Sequence, residues 1–373
     1  MEGRTTSIAG RLVAVCIAVA LAVAMAACGS SSSGGGGGGN TAKSSSDVSA
    51  YVGVGTLDSE YWAEFIRGAK AANSSAGGGS FRALADNFDP QKQLQNFGPI
   101  FGQGCAHCAM TIGTTSVSNA KPVVNQAVRA RAYISVIWNK PADYHPWDVS
   151  PYWVAFTTFD GVDSGYSNAV ALFRSMGGKG YIVALHGIPD NPPAIGRKAG
   201  LHRALAQYPN IHLLDEQVGN WDQATAQRIV ESWLAKYGNR IGGVWTANDG
   251  MALGAVEALR EHGLVGKVGV TGSDGSTDVL QLIKKGEITS TMYIDGAYQG
   301  ALTMALAHAA AVGDIDPSKL THAQREFYLR QTLVTKANVD QFLGKRDQAS
   351  ELSYDALKKD FWARSAGQVH GVS

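Results

Sequence analysis

The side chains best suited to hold a small polar molecule recur at similar places along this chain. Asn248 and Asp249 follow one apolar run, Asp274 follows the next, and Asn220-Trp221-Asp222 follows an earlier one. Nearer the start stand Asp58, Ser59, Tyr61 and Trp62, then Asn139, and Asp160 at mid-chain. Carboxylates, amides and aromatic rings dominate this set, and they match what a hydroxylated ligand offers. A carboxylate accepts two or more hydroxyl protons, while an amide both donates and accepts. Charge-assisted bonds of this kind contribute ~1.5–3 kcal/mol each. An indole or phenol ring supplies a flat surface for C–H groups at low entropy cost. A few such bonds and one or two stacked rings reach the roughly 8 kcal/mol of a micromolar complex.

Each residue also has a plainer use. Asp249 reads better as a helix N-cap than as a ligand contact, which leaves Asn248 freer to point outward. Asp274-Gly275 reads equally as a turn, and Trp221 as a hydrophobic staple ahead of Asp222. Tyr61 and Trp62 suit the start of a helix face in the core. Shared location, rather than any single residue, joins them.

Other chemistry finds little support. The histidines are scattered, with no Ser/His/Asp set and no cluster of metal ligands, so neither an enzyme nor a bound cofactor or metal is expected. Val52-Gly53-Val54-Gly55 lacks the third glycine of a dinucleotide fingerprint and leads to Asp58, which would repel a pyrophosphate. Cys105 and Cys108 are the only cysteines of the body. A structural disulfide is preferred there over two thiols, and over redox or metal roles with His107, because zinc sites want four ligands. A net charge of +1 without a basic stripe excludes a nucleic-acid partner.

The elements that must position these residues alternate. Strand patterns fall at 50–57, 81–85, 109–113, 133–138, 153–159, 180–185, 212–216, 243–246, 268–273 and 289–294, with a late one at 326–334. Helical spacing fills 61–74, 90–101, 120–131, 164–176, 193–207, 222–236, 249–262, 277–285 and 298–312. Leu253, Val256 and Leu259 line one face, and Asp222, Asp249 and Ser276 stand at N-cap positions. Such alternation predicts an α/β fold with parallel sheets covered on both faces, and the ~325 residues of the body suit two doubly wound lobes. Ligands of open parallel sheets bind outside the carboxyl ends of the strands. The candidate residues follow strand ends for that reason.

The first residues carry an address. Arg4 and Arg11 precede an apolar run from 12 to 27, which is short for a membrane span of about 20 residues and fits a signal segment. Met25-Ala26-Ala27-Cys28 resembles the lipobox of bacterial lipoproteins, which implies cleavage after residue 27 and lipid attachment at Cys28. The Gly/Ser-rich stretch that follows reads as a flexible tether. The expectation is an exported protein anchored to the outer face of the cell membrane.

Across nearly all of the body the pattern is similar to ribose-type periplasmic binding proteins. Asn248-Asp249-Gly250-Met251-Ala252-Leu253-Gly254-Ala255 resembles their Asn-Asp-x-Met-Ala-x-Gly-Ala stretch, Gly272-Ser273-Asp274-Gly275 their Gly-Phe-Asp-Gly, and 53–72 their first strand and helix. The resemblance implies a type I fold, with two lobes joined by three crossings near 159–160, 294–295 and 328–331, and hinge closure on a ligand. The lobes would be 48–159 with 295–329, and 160–294 with 330–373, after a signal peptide at 1–27 and a tether at 28–47. Trp221 matches the family's second-lobe stacking aromatic, while Asn248 and Asp274 match its hydroxyl-binding amide and carboxylate. Tyr61 and Trp62 match the first-lobe aromatic pair, and Ser59 the residue before it. Asp160-Gly161 resembles the Asp-Asn after the first sheet.

Departures also show. Asn139-Lys140 stands where ribose binders have Asp-Arg, their second-lobe arginine falls at Ile195 or Arg197, and Ile294-Asp295 replaces a hinge glutamine. These differences argue against ribose itself. An insertion at 139–151, with Tyr144, His145 and Trp147, reads either as a remodelled cleft rim or as a surface loop. The resulting expectation is a monomeric lipoprotein that captures a sugar or polyol and delivers it to the permease and ATPase subunits of an importer. A ligand-sensing lipoprotein that presents its ligand to a membrane receptor is the alternative. The lobes also occur in lactose-repressor relatives, but a helix-turn-helix would then precede them, where this chain has a signal, a cysteine and a tether.

Overall fold

In the computed structural model, residues 42, 44–344 and 349–370 are described. The signal segment, Cys28 and all but the end of the tether lie outside them. The alternation resolves first into β1 (Ser49–Val54), α1 (Glu60–Ser75), β2 (Phe81–Ala85), α2 (Pro90–Gly102), β3 (Cys108–Gly113), α3 (Val117–Arg129), β4 (Tyr133–Ile137), α4 (Pro146–Val149) and β5 (Trp153–Thr158). Next come α5 (Gly161–Ser175), β6 (Gly180–His186), α6 (Pro192–Gln207), β7 (Ile211–Val218), α7 (Gln223–Tyr237), β8 (Ile241–Thr246), α8 (Asp249–Glu261), β9 (Gly269–Asp274), α9 (Thr277–Lys285) and β10 (Ser290–Tyr293). The last elements are α10 (Gly296–Val312), α11 (His322–Arg325), β11 (Glu326–Leu329), β12 (Thr332–Thr335), α12 (Tyr354–Lys359) and β13 (Ser365–Gln368).

Two sheets result, ordered β13-β11-β5-β4-β3-β1-β2 and β12-β10-β9-β8-β6-β7. Every neighbouring pair is parallel except β13 on β11 and β12 on β10 at the edges. All residues of β3, β4 and β5 are buried, as strands covered on both faces should be. The fold is therefore a pair of α/β lobes. The chain passes from one sheet to the other after β5, after β10 and between β11 and β12.

Helix α10 packs at the centre of the first lobe's core. It is apolar almost all round, and residues 296–311 are all buried between the sheet and α1. The crossing with α1 is close enough to require glycine: a Cβ at Gly68 would stand 1.8 Å from the Ala297 carbonyl oxygen, and one at Gly300 2.0 Å from that of Phe65. Cys105 and Cys108 are bonded through their sulfurs, closing the turn that enters β3 with a Cα separation of 5.1 Å.

Three expectations change. The late strand at 326–334 is two strands in different sheets, because the chain crosses between the lobes at Arg330-Gln331. The tail assigned to the second lobe returns to the first, where β13 pairs with β11, and Leu352, Leu357 and Phe361 join its core. Hydrogen bonds from the Tyr354 N–H to Ser75 Oγ at 2.8 Å and from Trp362 Nε1 to the Gln324 carbonyl at 3.0 Å fasten it. That return makes a fourth passage between the lobes. Asp249, third, is not the cap of α8. Asn248 takes that place with extended backbone angles, its Oδ1 accepting from the Met251 N–H at 3.0 Å, and Asp249 turns inward.

Candidate ligand-binding site

The carboxyl ends of the two sheets face each other, and a cavity of about 90 Å³ lies between them, large enough for one small molecule. The first lobe contributes Ser59, Tyr61 and Trp62 from the start of α1, Thr114 and Thr115 after β3, and Trp138 and Asn139 after β4. The second lobe contributes Asn191, Pro193 and Arg197 around the start of α6, Trp221 before α7, Asn248 after β8 and Asp274 at the end of β9. Phe88, beyond β2, completes the aromatic lining.

Three of these aromatic residues hold a backbone that side chains rarely adopt: φ is 58° at Phe88, 70° at Trp138 and 64° at Trp221. Left-handed backbone costs a bulky residue roughly 1–2 kcal/mol, and such strain concentrates where a side chain must be aimed. Here it aims three rings into one cavity. Trp138 is held by its own Nε1, which donates to Tyr61 Oη at 2.9 Å, and Tyr61 in turn donates to Gln299 Oε1 at 2.5 Å. Across the cleft, Trp221 Nε1 donates to Asn191 Oδ1 at 3.1 Å, and its ring rests against Gly187. Asn191 also reaches the first lobe, donating through Nδ2 to the Thr115 carbonyl at 3.3 Å.

Arg197 lies between the two indoles, its guanidinium 5.9 Å from the Trp138 ring centre and 5.6 Å from that of Trp221. Nη1 donates to the Ala247 carbonyl at 2.6 Å, whereas Nε, buried, has no hydrogen-bond partner among the described residues. Asn139 Oδ1 is likewise buried and without a hydrogen-bond partner among the described residues, while its Nδ2 donates to the Thr114 carbonyl at 2.5 Å. Two carboxylates lie near the single guanidinium. Asp249 has both oxygens engaged, accepting from the Ser276 N–H and the Thr291 hydroxyl at 2.6 Å each, and burial pushes it toward the neutral form. Asp274 is raised as well, first by burial and then by Asp249, with Arg197 opposing. Burial dominates at Arg197 too, pulling its pKa down against the attraction of both aspartates. The cavity thus combines a carboxyl at Asp274, a guanidinium at Arg197 and amides at Asn139 and Asn248 with flat rings on both sides.

A family model described as a periplasmic binding protein domain matches residues 50–315. The chain belongs to this family. The family's type I fold is the one seen here. A solved structure named as a twin-arginine translocation pathway signal protein from Burkholderia phytofirmans superposes with a TM-score of 0.82 at 37% identity, over 86% of this chain and 98% of that one. The xylitol-binding protein of Mycolicibacterium smegmatis is 33% identical over 48% of this chain and 50% of its own length. The D-allose-binding periplasmic protein of Escherichia coli is 31% identical over 41% of this chain and 49% of its own. Each of these two relatives is thus matched over about half its length.

In this binding protein, eight of the residues named from sequence line the one cavity: Ser59, Tyr61, Trp62, Asn139, Arg197, Trp221, Asn248 and Asp274. The choice between Ile195 and Arg197 falls to Arg197, since Ile195 faces out with 45% exposure. Asp160 and Asp295 are corrections. Asp160 caps α5 through the Val162 and Asp163 N–H groups, and Asp295 caps α10 through the Tyr298 N–H while pairing with Arg364 at 2.9 Å. Their carboxylates serve helix ends beside the crossings, outside the cavity lining. Lys140 also turns away, into a buried ion pair with Glu326 at 3.0 Å. The 139–151 insertion packs with it: His145 meets Glu326 at 2.9 Å, and Trp147 stacks between His145 and His322.

Sequence reasoning missed Phe88, Thr114, Thr115, Trp138 and Asn191. For four of them the signal was present, since they follow the ends of β2, β3 and β6, where the strand-end rule applies equally. The apolar pattern makes Trp138 the last residue of its strand. Only its left-handed backbone turns the ring into the cleft.

Proposed function

We propose that this chain is an extracytoplasmic solute-binding lipoprotein that captures a sugar or polyol between its lobes and delivers it to an ABC-type importer. The observation that carries the ligand class is the convergence of Asp274, Asn248, Asn139 and Arg197 on one cavity walled by indoles. Carboxyl, amide and guanidinium groups in such a cavity need partners, and a ligand hydroxyl, which donates and accepts, suits all of them. The rings then cover its C–H faces. A relative named for xylitol and another named for D-allose support the same class.

In this reading Asp274 accepts from hydroxyls, Arg197 donates to a hydroxyl or ring oxygen, and Asn139 and Asn248 fix orientation. Trp62, Trp138 and Trp221 stack. The lobes rotate about the crossings at 159–160, 294–295 and 330–331, and closure removes water from the bonds. No covalent step is involved; a separate membrane ATPase supplies the energy of transport. Cys28, acylated after cleavage of 1–27, holds the protein at the membrane surface through its Gly/Ser tether.

A thermal-shift and calorimetric screen against xylitol, D-allose, myo-inositol, D-ribose and L-leucine tests the ligand class. A hydroxylated ligand is expected to raise Tm by mass action, and L-leucine to leave it unchanged. No shift with any hydroxylated compound would refute the proposal. For the anchor, cells expressing the full chain are expected to incorporate labelled palmitate into it, and Cys28→Ala to abolish both label and membrane retention. Retention of that variant at the membrane would count against Cys28 as the anchor.

A further inference from the structure

The lobes meet at a second place, outside the ligand cavity. Glu60 opens α1 in the first lobe, and Thr277 opens α9 in the second. The Glu60 carboxylate accepts from the Thr277 N–H through Oε2 at 2.8 Å and from the Thr277 hydroxyl through Oε1 at 2.6 Å. First-turn N–H groups need acceptors, and the positive end of a helix favours an anion there. Elsewhere in this chain the residue before the helix supplies it, as Asp160 does for α5 and Asp222 for α7. Ser276 precedes α9 and makes no side-chain capping bond. The cap of α9 comes from the opposite lobe.

We propose that Glu60 is a closure latch, a positioning residue that caps α9 only when the lobes are together. The proposal rests on ligand capture by lobe closure as described above. While the lobes are apart, water solvates the helix end; closure replaces it with a two-point, charge-assisted contact from Glu60. Part of the affinity for ligand then comes from a residue that does not touch it. The latch is coupled to the site on both sides. Ser59 and Tyr61, its neighbours in sequence, line the cavity, and so does Asp274, three residues before Thr277. The contact is unmade in the open protein, so it acts on affinity and release rather than on the stability of the ligand-free fold.

The test uses Glu60→Gln, Thr277→Val and the double variant, with xylitol, D-allose and myo-inositol as probes. Affinity is read by calorimetry, and release by stopped-flow fluorescence of the cavity tryptophans. Glu60→Gln is expected to weaken binding about tenfold, mainly through faster release. Thr277→Val should weaken it about threefold, and the double variant should be no weaker than Glu60→Gln alone, because both remove one contact. The ligand-free Tm should stay within about 1 °C of the parent, a change smaller than a lost folding contact gives. Unchanged affinity in Glu60→Gln, or fully additive losses, would overturn the latch while leaving capture intact. A drop in ligand-free Tm that matches the affinity loss would overturn it too, making Glu60 a fold residue of α1. Should Glu60→Gln fail to fold, Thr277→Val tests the same contact from the other lobe, since Thr277 is exposed and valine keeps its shape; unchanged affinity there would likewise overturn the latch. Parent protein that binds none of the three probes removes the capture reading and the latch with it.

Discussion

Replacing Asp274 by asparagine should separate function from stability in opposite directions. Two carboxylates, Asp249 and Asp274, lie near one guanidinium, and burial raises both of them. Asp249 has both oxygens engaged, by the Ser276 N–H and the Thr291 hydroxyl, and Asp274 is the one of the two that lines the cavity. Asparagine keeps the shape but cannot ionise, whereas burial and Asp249 hold the Asp274 carboxyl up at about 8, and Asp249 remains beside Arg197. Binding loses a carboxyl contact, about 1–1.5 kcal/mol or a factor on the order of ten in Kd. The ligand-free protein should lose no stability and should gain some at neutral pH. The sign follows from linkage. An acid whose folded pKa is raised favours folding at low pH, and that contribution is lost as pH rises from the ordinary carboxylate range through the raised value. The parent's stability should therefore fall more steeply between pH 5 and pH 8 than that of Asp274→Asn. Calorimetry with the tightest of the screened polyols gives the first quantity, and urea unfolding across that pH range the second. Binding within threefold of the parent would refute the ligand role. A variant more than about 1 kcal/mol less stable at pH 7, beyond a surface substitution's usual effect, would make Asp274 a structural residue instead.

Other substitutions probe the supports of the site. A Cβ at Gly187 would stand 2.0 Å from the Trp221 ring, so Gly187→Ala should displace that indole into the cavity and weaken binding at least about tenfold with little loss of secondary structure, checked by calorimetry and circular dichroism. Asp249→Ala leaves the Ser276 N–H and Thr291 hydroxyl without their acceptor, and urea unfolding should show a loss of about 2–5 kcal/mol, the cost of breaking a buried polar network. Asp86 is pushed up to about 6 by burial, so its contribution to stability falls as pH rises from the ordinary carboxylate range through that value. The stability of Asp86→Asn relative to the parent should accordingly improve from pH 4 to pH 7, and a flat difference across melts in that range would refute the assignment.

The residues of the cleft were legible because topology does much of the placing. In parallel sheets every strand delivers its carboxyl end to one edge, so residues just past those ends must gather whatever the packing details. Asn248, Asp274 and Trp221 could thus be assigned together from strand periodicity and motif. Alternating apolar runs likewise determined the two lobes, and helical spacing determined the helix at 298–312. Local sequence could not decide which of two adjacent polar residues caps α8. That choice depends on Thr291 and the Ser276 N–H, which reach Asp249 from another strand and loop.

Three further matters belonged to the tertiary structure alone. The tail from 349 to 370 carries no periodic signal, and its return to the first lobe is set by the free edge of β11 and by grooves beside α1 and α10. The left-handed turns at Phe88, Trp138 and Trp221 go against residue preference, so only surrounding packing such as the Trp138–Tyr61–Gln299 chain can hold them. The Glu60–Thr277 contact joins residues 217 positions apart, across a cleft whose geometry no run of sequence specifies. Sequence periodicity determined which residues could reach the cleft. The meeting of the two lobes decided which of them line the cavity, because hydrogen bonds and stacking depend on distances that only the tertiary structure sets.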